Sequence, residues 1–365
     1  MTTKIEHVQQ YLKKNALDGA FLTSTENVFY TTGFRSDPHE RWLAVFVPSS
    51  GDSVLICPAM EVEDARHSGW TGDVIGYSDT ENPIALLRDL VVTRAESLKS
   101  IAIESGHLTV DRLSILNESF GEFATHSIDQ FMNDLRVVKT EDELVHLRKA
   151  ASLADFAIEV ACAELAEGKS ELDVLATIEY ELKRKGITEM AFSTMVLTGK
   201  NAASPHGTPG LTKIHYGDLV LFDLGVVYNG YCSDITRTVA FGEIGNEQRK
   251  IYETVLKAEQ TALEMVKPGV KASDLDKAAR QVIIDAGYGE FFPHRLGHGL
   301  GLNVHEYPSI TSSNDLVLEE GMTFTIEPGI YVPNVAGVRI EDDLLVTADG
   351  CETLTKFPKE LQFYR

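Results

Sequence analysis

Residues 219–241 read LVLFDLGVVYNGYCSDITRTVAF. Two apolar runs flank Asn229-Gly230, the strongest short hairpin signal in the chain, because both turn positions of such a hairpin need positive φ. Counting outward from a two-residue turn, Tyr228 faces Tyr231 and Gly225 faces Asp234. Asp223 is two residues from Gly225 and therefore points to the same side of the sheet. The two aspartates become diagonal neighbours, about 7–8 Å apart at Cα and nearer at their side chains. Unpaired carboxylates so placed repel, and a bound cation removes the conflict. The bland alternative leaves one Asp solvated at a strand end and the other bonded to backbone. It suits a single strand aspartate better than two on one face of apolar strands.

Three more ligand-type residues stand in distinctive runs further on: His298 in RLGHGLG, Glu327 in TIEPG and Glu341 in VRIED. Both glutamates follow an isoleucine, and a buried Glu needs a cation, a metal or a proton. Alternation puts Arg339 on the face of Glu341, so a plain Arg–Glu ion pair competes with a metal there. Pro328, Pro333 and Gly337 prevent a register count through this second strand–loop–strand unit. A lone His is more often structural than a ligand. His206 in NAASPHG, His294 in HRLGH and His305 in NVHEYP change that balance, because several histidines beside Gly-rich loops suggest a site. If Asp223, Asp234, His298, Glu327 and Glu341 converge, four carboxylates and a neutral imidazole need about two divalent cations. Oxygen-rich ligation with one imidazole favours Mn²⁺, Co²⁺ or Fe²⁺, with Zn²⁺ as an alternative. Two such ions about 3.5–4 Å apart would hold a bridging water and lower its pKa, giving hydroxide at neutral pH.

The 365 residues predict two domains, since single cores stop growing near ~250–300 residues. A net charge of −22 argues against nucleic acid and anionic membrane surfaces as partners. No segment approaches the ~20 apolar residues of a membrane span. The start, MTTKIEHVQQYLKKN, is polar and lacks the apolar core of a signal peptide. Cys57, Cys162, Cys232 and Cys351 form no CxxC pair, read as small core residues, and suit a reduced, cytoplasmic setting.

Residues 4–14 carry a helical stripe. Short apolar runs follow at 20–22, 43–47, 54–57, 74–77 and 101–103, with helical stretches at 83–97 and 111–119 between them. This alternation predicts a small α/β domain with a mixed or partly parallel sheet. A helical segment near 129–138 then leads into Thr140 and Glu143, a capping-box pair. Apolar residues recurring from Leu144 to Leu165 predict one long helix closed by Gly168, and a second helix spans 171–185. Strand-like segments at 192–198, 217–228, 231–241, 322–332 and 338–347 enclose helices near 246–266 and 273–286. The order helix pair, strand pair, helix pair, strand pair suggests a loose duplication around a central antiparallel sheet.

FDLG with SDITRT, HRLGHGLG with VHEYP, TIEPGIY and GVRIED resemble the pita-bread metallopeptidases, which include methionine aminopeptidase, aminopeptidase P and prolidase. The likeness spans about residues 140–365. TGF…DPHERW, CPAMEVEDAR and GDVIGYSDTENP resemble the N-terminal domain of bacterial Xaa-Pro dipeptidases. The resemblance implies an α+β chain, with an N-terminal creatinase-type α/β domain (1–128) and a catalytic pita-bread domain (129–365). It implies that Asp223 holds one metal ion, Asp234 and Glu341 bridge two, and His298 and Glu327 bind the second. Mn²⁺ is the implied ion, with Co²⁺ or Zn²⁺ as alternatives. It further implies hydrolysis of Xaa-Pro dipeptides by metal-bound hydroxide, with Glu327 relaying the proton. His206 and His305 would hold substrate and oxyanion, His294 would support them, and Arg339 would orient a bridging ligand. Arg35, His39 and Arg41 in RSDPHER are candidates for the substrate carboxylate, and a homodimer is expected. Aminopeptidase P, cleaving longer peptides, is the enzymatic rival. A non-catalytic pita-bread binding module is the reading from another class.

Overall fold

Thr3 opens the first helix with a capping box: its side chain accepts the Glu6 N–H while the Glu6 carboxylate accepts its own. The computed structural model describes residues 3–92 and 98–365. The chain divides into two compact units, Met1–Leu135 and Arg136–Arg365.

The first unit runs α1 (Lys4–Lys14), β1 (Gly19–Leu22), α2 (Thr25–Thr32), β2 (Ala44–Pro48), β3 (Val54–Pro58), α3 (Val62–His67), β4 (Asp73–Tyr77), α4 (Pro83–Val92), β5 (Ser100–Ile103), α5 (Val110–Phe120), β6 (Ala124–Ser127) and α6 (Asp129–Val137). The sheet order is β4-β3-β2-β1-β5-β6. β1–β2 and β2–β3 pair antiparallel and the other neighbours parallel, the mixed sheet expected. Its core includes Phe21, Ile56, Leu87, Ile101 and Leu116. Residues 93–97 of the expected helix 83–97 lie outside the described residues. Helices α2 and α3 and strand β6 are not anticipated by the sequence reading. The cut at 128/129 assigns α6 to the second domain. In the structure its first turns belong here: Phe131 stacks on Tyr11 at 4.2 Å and Met132 is buried.

The second unit runs α7 (Glu141–Ala163), α8 (Glu171–Arg184), β7 (Met195–Thr198), β8 (Asp218–Leu224), β9 (Val227–Tyr228), β10 (Tyr231–Cys232), β11 (Ile235–Phe241), α9 (Asn246–Leu263), α10 (Ala272–Asp285), β12 (Gly297–Gly299), β13 (Glu306–Ile310), β14 (Thr323–Ile326), β15 (Gly329–Val332), β16 (Ala336–Arg339), β17 (Asp342–Val346), β18 (Cys351–Thr353) and β19 (Phe363–Tyr364). The Thr140–Glu143 capping box forms as expected. Helix α7 ends at Ala163, before the Gly168 that the sequence offers as its stop. One half pairs α7 and α8 with the sheet β19-β11-β8-β7, and Ile158, Ile178, Val220 and Phe222 are in its core. The other pairs α9 and α10 with β13-β12-β14-β17-β18, around Ile251, Leu275, Phe324 and Leu344. The backbone bridge between Thr236 and Glu341 joins the two sheets. Strands β12 and β13 are missed by the sequence reading because glycine and proline mark them as loop. Gly297 and Gly299 are required for close packing: a Cβ would come within 1.9 Å of Thr325 O and 2.2 Å of Tyr307 O. The four cysteines are free, and all but Cys351 are buried.

Arg237 is 1 % exposed. Its guanidinium donates to the carbonyls of Thr236 (3.0 Å), Glu341 (2.5 Å) and Phe357 (2.7 Å) and to Asp342 Oδ1 (2.6 Å). Lys359 pairs with Asp342 and, at 2.7 Å, with Glu259. Burial alone would raise the Asp342 carboxyl, but Arg237 and Lys359 outweigh it and hold it at about 2. The backbone around Glu341 is thus tied to residues 357–359, near the end of the sequence.

Candidate metal centre

The hairpin count from Asn229-Gly230 holds through the whole first unit of the site. Asn229 and Gly230 have φ of 50° and 86°, as the turn requires. Tyr228 faces Tyr231, and further down Leu224 faces Ile235 and Asp223 faces Thr236, all in one register. Asp223 and Asp234 are therefore the diagonal pair expected. Between the two ladders, a Cβ on Gly225 would meet Ser233 O at 1.9 Å, so only glycine lets the strands stay this close.

The second hairpin keeps one register too. Val332 faces Ala336 and Gly329 faces Arg339 in the outer ladder, while Ile326 faces Asp342 in the inner one. Glu327 and Glu341 occupy the facing positions in the gap between. Freed from pairing each other, their N–H groups donate to Leu296 O (2.8 Å) and Thr236 O (3.1 Å). The first bond fixes Glu327 to the strand entry that carries His298. The second fixes Glu341 opposite the strand that carries Asp223. The Asp234 N–H similarly donates to Asp343 Oδ2 at 3.0 Å.

The five side chains converge. His298 Nε2 is 3.3 Å from Glu327 Oε1 and 3.7 Å from Asp234 Oδ2. Asp234, His298 and Glu341 each offer one donor atom, all within 4.8 Å of one another. Asp223 Oδ1, Asp234 Oδ1 and Glu341 Oε1 are buried without a hydrogen-bond partner. Burial, then the neighbouring carboxylates, push the Asp234 and Glu341 carboxyls well above their ordinary range. Asp223 is raised by burial and only partly relieved by Arg339, which contacts it directly. Buried, mutually repelling carboxylates with orphaned oxygens fit divalent cations, which would satisfy both the charge and the lone pairs.

Around them lies a cavity of about 380 Å³. His206, His294, His305 and Arg339 all line it with the five candidate ligands. His294 is fixed through Nδ1 to Arg295 O (2.8 Å) and through Nε2 to the Tyr331 hydroxyl (3.0 Å). That hydroxyl accepts from Arg339 at 2.7 Å. The His305 ring stands edge-on to His298 at 4.1 Å, and burial, then His298, push it down to about 4. Phe192, Met195 and Val304 supply an apolar wall. Arg35, His39 and Arg41 belong to the first unit. There Arg41 is committed to both carboxylate oxygens of Asp79, at 2.8 and 3.2 Å. Two residues escape the sequence reading. Thr236 accepts from Arg339 Nε (3.1 Å) and donates to Glu341 Oε2 (2.7 Å), and Tyr331 links His294 to Arg339. The first hairpin count already puts Thr236 opposite Asp223. Tyr331 reads as an ordinary strand aromatic.

A model of metallopeptidase family M24 matches residues 145–348, and one of the creatinase/prolidase N-terminal domain matches 4–138. The chain is 50% identical over 358 residues to "Putative dipeptidase YkvY" of Bacillus subtilis, covering 98% of this chain and 99% of that one. Among solved structures, the prolidase from Pyrococcus horikoshii OT3 superposes with a TM-score of 0.91 at 37% identity, covering 98% of this chain and 99% of the other. The Xaa-Pro dipeptidase from Bacillus anthracis gives a TM-score of 0.91 at 34% identity over 99% of each chain. This chain belongs to metallopeptidase family M24 and carries a creatinase/prolidase-type N-terminal domain.

Proposed function

We propose that the protein is a metal-dependent Xaa-Pro dipeptidase that releases free proline. The observation that carries this reading is the convergence of Asp223, Asp234, His298, Glu327 and Glu341 beneath a rim of histidines in one cavity. The likeness to prolidases supports the substrate class. Asp223 would hold one divalent ion, His298 and Glu327 the other, with Asp234 and Glu341 shared between them. Oxygen-rich ligation favours Mn²⁺. Such ions supply Lewis acidity, polarising the scissile carbonyl and acidifying the attacking water.

The chain's own residues do the rest. The scissile nitrogen is part of the proline ring, carries no hydrogen and leaves poorly unless protonated. Glu327 accepts the proton of the attacking water and delivers it to that nitrogen. His206 and His305 bind the substrate carbonyl and stabilise the charge that develops on its oxygen. The chain His294–Tyr331–Arg339 fixes Arg339 against Asp223, so that this carboxylate keeps one orientation. The apolar wall of Phe192, Met195 and Val304 receives an uncharged side chain.

The deciding experiment reconstitutes the chelator-treated protein with Mn²⁺, Co²⁺ or Zn²⁺ and measures hydrolysis of Leu-Pro and Leu-Pro-Pro. Release of proline from Leu-Pro, abolished by EDTA, is expected. Cleavage of the tripeptide alone would convert the reading to an aminopeptidase P. Activity surviving exhaustive chelation would overturn the metal-dependent mechanism.

A further inference from the structure

Glu171 opens helix α8 and is 0 % exposed. A buried carboxylate is costly unless its lone pairs are met. Its donors are three amides from a single loop. Thr198 N donates to Oε1 at 2.8 Å and Gly210 N to Oε2 at 2.8 Å. The Asn201 side chain donates to both oxygens, at 2.9 and 3.0 Å. Thr198 ends β7 and Gly210 is where the chain returns, so one carboxylate closes both stems of residues 199–210. The loop between them brings Pro205 and His206 to the cavity.

Two further contacts press the same loop inward. Ala202 is buried with Leu197 and Leu221 in a small core of its own. On the opposite side the loop backbone lies against β16, where a Cβ on Gly337 would come 1.6 Å from Ala202 O. β16 is the strand that ends in Arg339. The loop is thus clamped between a charged anchor and the backbone of the site.

We propose that Glu171 is a positioning residue: it sets the 199–210 loop so that His206 faces the reacting carbonyl. This rests on the assignment of His206 to substrate above. Glu171 does not line the cavity, so its effect must pass through His206.

The test is a double-mutant cycle on Leu-Pro hydrolysis with Mn²⁺, using E171Q, H206A and the double variant, with amide hydrogen exchange alongside. The glutamine keeps the shape but turns a donor towards amides that need an acceptor. E171Q is expected to lower kcat/KM by about 10- to 100-fold, the effect of a small displacement of a binding group. The double variant should lose no more than H206A alone, because both changes remove one contribution. A role confined to folding would instead multiply with H206A. The amides of Thr198 and Gly210 should exchange at least about tenfold faster in E171Q, with those of β8 and β11 unchanged. Multiplying effects, or unchanged exchange in the loop, overturn the proposal. If E171Q does not fold, N201A loosens the same tether from a half-exposed position and runs the same cycle, with a loss of about tenfold expected. Wild-type protein inert towards Leu-Pro, with the exchange pattern intact, would sink the dipeptidase reading and leave the Glu171 anchor standing.

Discussion

The two ligand-bearing hairpins share a design and differ in how they hold their carboxylates. In the first, Asp223 lies inside the β8–β11 ladder, paired with Thr236 on one side and Met195 on the other, and only Asp234 sits in a gap, its amide bonded to Asp343. The Asp223 backbone is fixed by the sheet itself. In the second, Glu327 and Glu341 lie in a gap, and their amides reach across to Leu296 and Thr236. Their placement depends on other segments being right first. Regular structure can present a ligand alone. A pair of facing ligands needs the ladder opened, and then every opened amide needs a new partner.

Four substitutions probe this contrast, beginning with the most damaging. Glu327→Gln keeps shape and removes the proton acceptor. Turnover of Leu-Pro should fall by about 10²–10⁴-fold with the melting temperature almost unmoved. An unimpaired rate would remove Glu327 from the proton path. Thr236→Val deletes the hydroxyl between Arg339 and Glu341, the strut shared by both hairpins. Metal affinity measured by titration should drop about 10–100-fold, and unchanged affinity would make that hydroxyl incidental. Gly225→Ala places a methyl where Ser233 O already stands. Chemical denaturation should register a loss of about 1–3 kcal/mol, and a neutral result would mean the first hairpin is less rigid than its continuous register implies.

The smallest effect concerns β13, partner of the His298 strand. Burial would raise the Glu306 carboxyl, yet Lys139, at 2.8 Å, and Arg136 outweigh it and hold it low. A carboxyl depressed in the folded state stabilises above its unfolded pKa and loses that contribution as pH falls through the folded one. The melting temperature of Glu306→Gln should therefore lie below wild type at neutral pH. The two should converge as pH drops below the ordinary glutamate range, near ~4. A pH-independent difference would assign the loss to packing.

Legibility in the sequence follows the same contrast. Asn229-Gly230 names its turn, so a count from it reaches Asp223, Asp234 and Thr236 without any structure. The second hairpin also keeps one register, across a three-residue tip, 333–335, but no residue pair names that tip as Asn-Gly names the first. Pro328 and Gly337 hid this register. Pro328 follows Glu327 in the ladder gap, where the lost N–H matters little. Gly337 is a strand residue pared down to admit Ala202. The GHG strand was illegible for a related reason: its glycines serve close packing against Thr325 and Tyr307, and local propensity records only their flexibility. The partners of Arg41 and the donors around Glu171 come from distant parts of their units, and no local pattern encodes them.

The tie between Arg237 and residues 357–359 has a consequence in time. A chain made from its N-terminus can complete its first unit early, and domains generally fold as they emerge. The second unit cannot. Arg237, Asp342 and Glu259 are buried charges, and part of their pairing comes from Phe357 O and Lys359, which follow all five candidate ligands in the sequence. Until then the guanidinium beneath Glu341 lacks the Phe357 carbonyl, and Asp342 and Glu259 lack Lys359. The candidate site therefore gains its last buried partners only once residue 359 has been made, and shorter nascent chains carry all five candidate ligands without the complete charge network beneath Glu341.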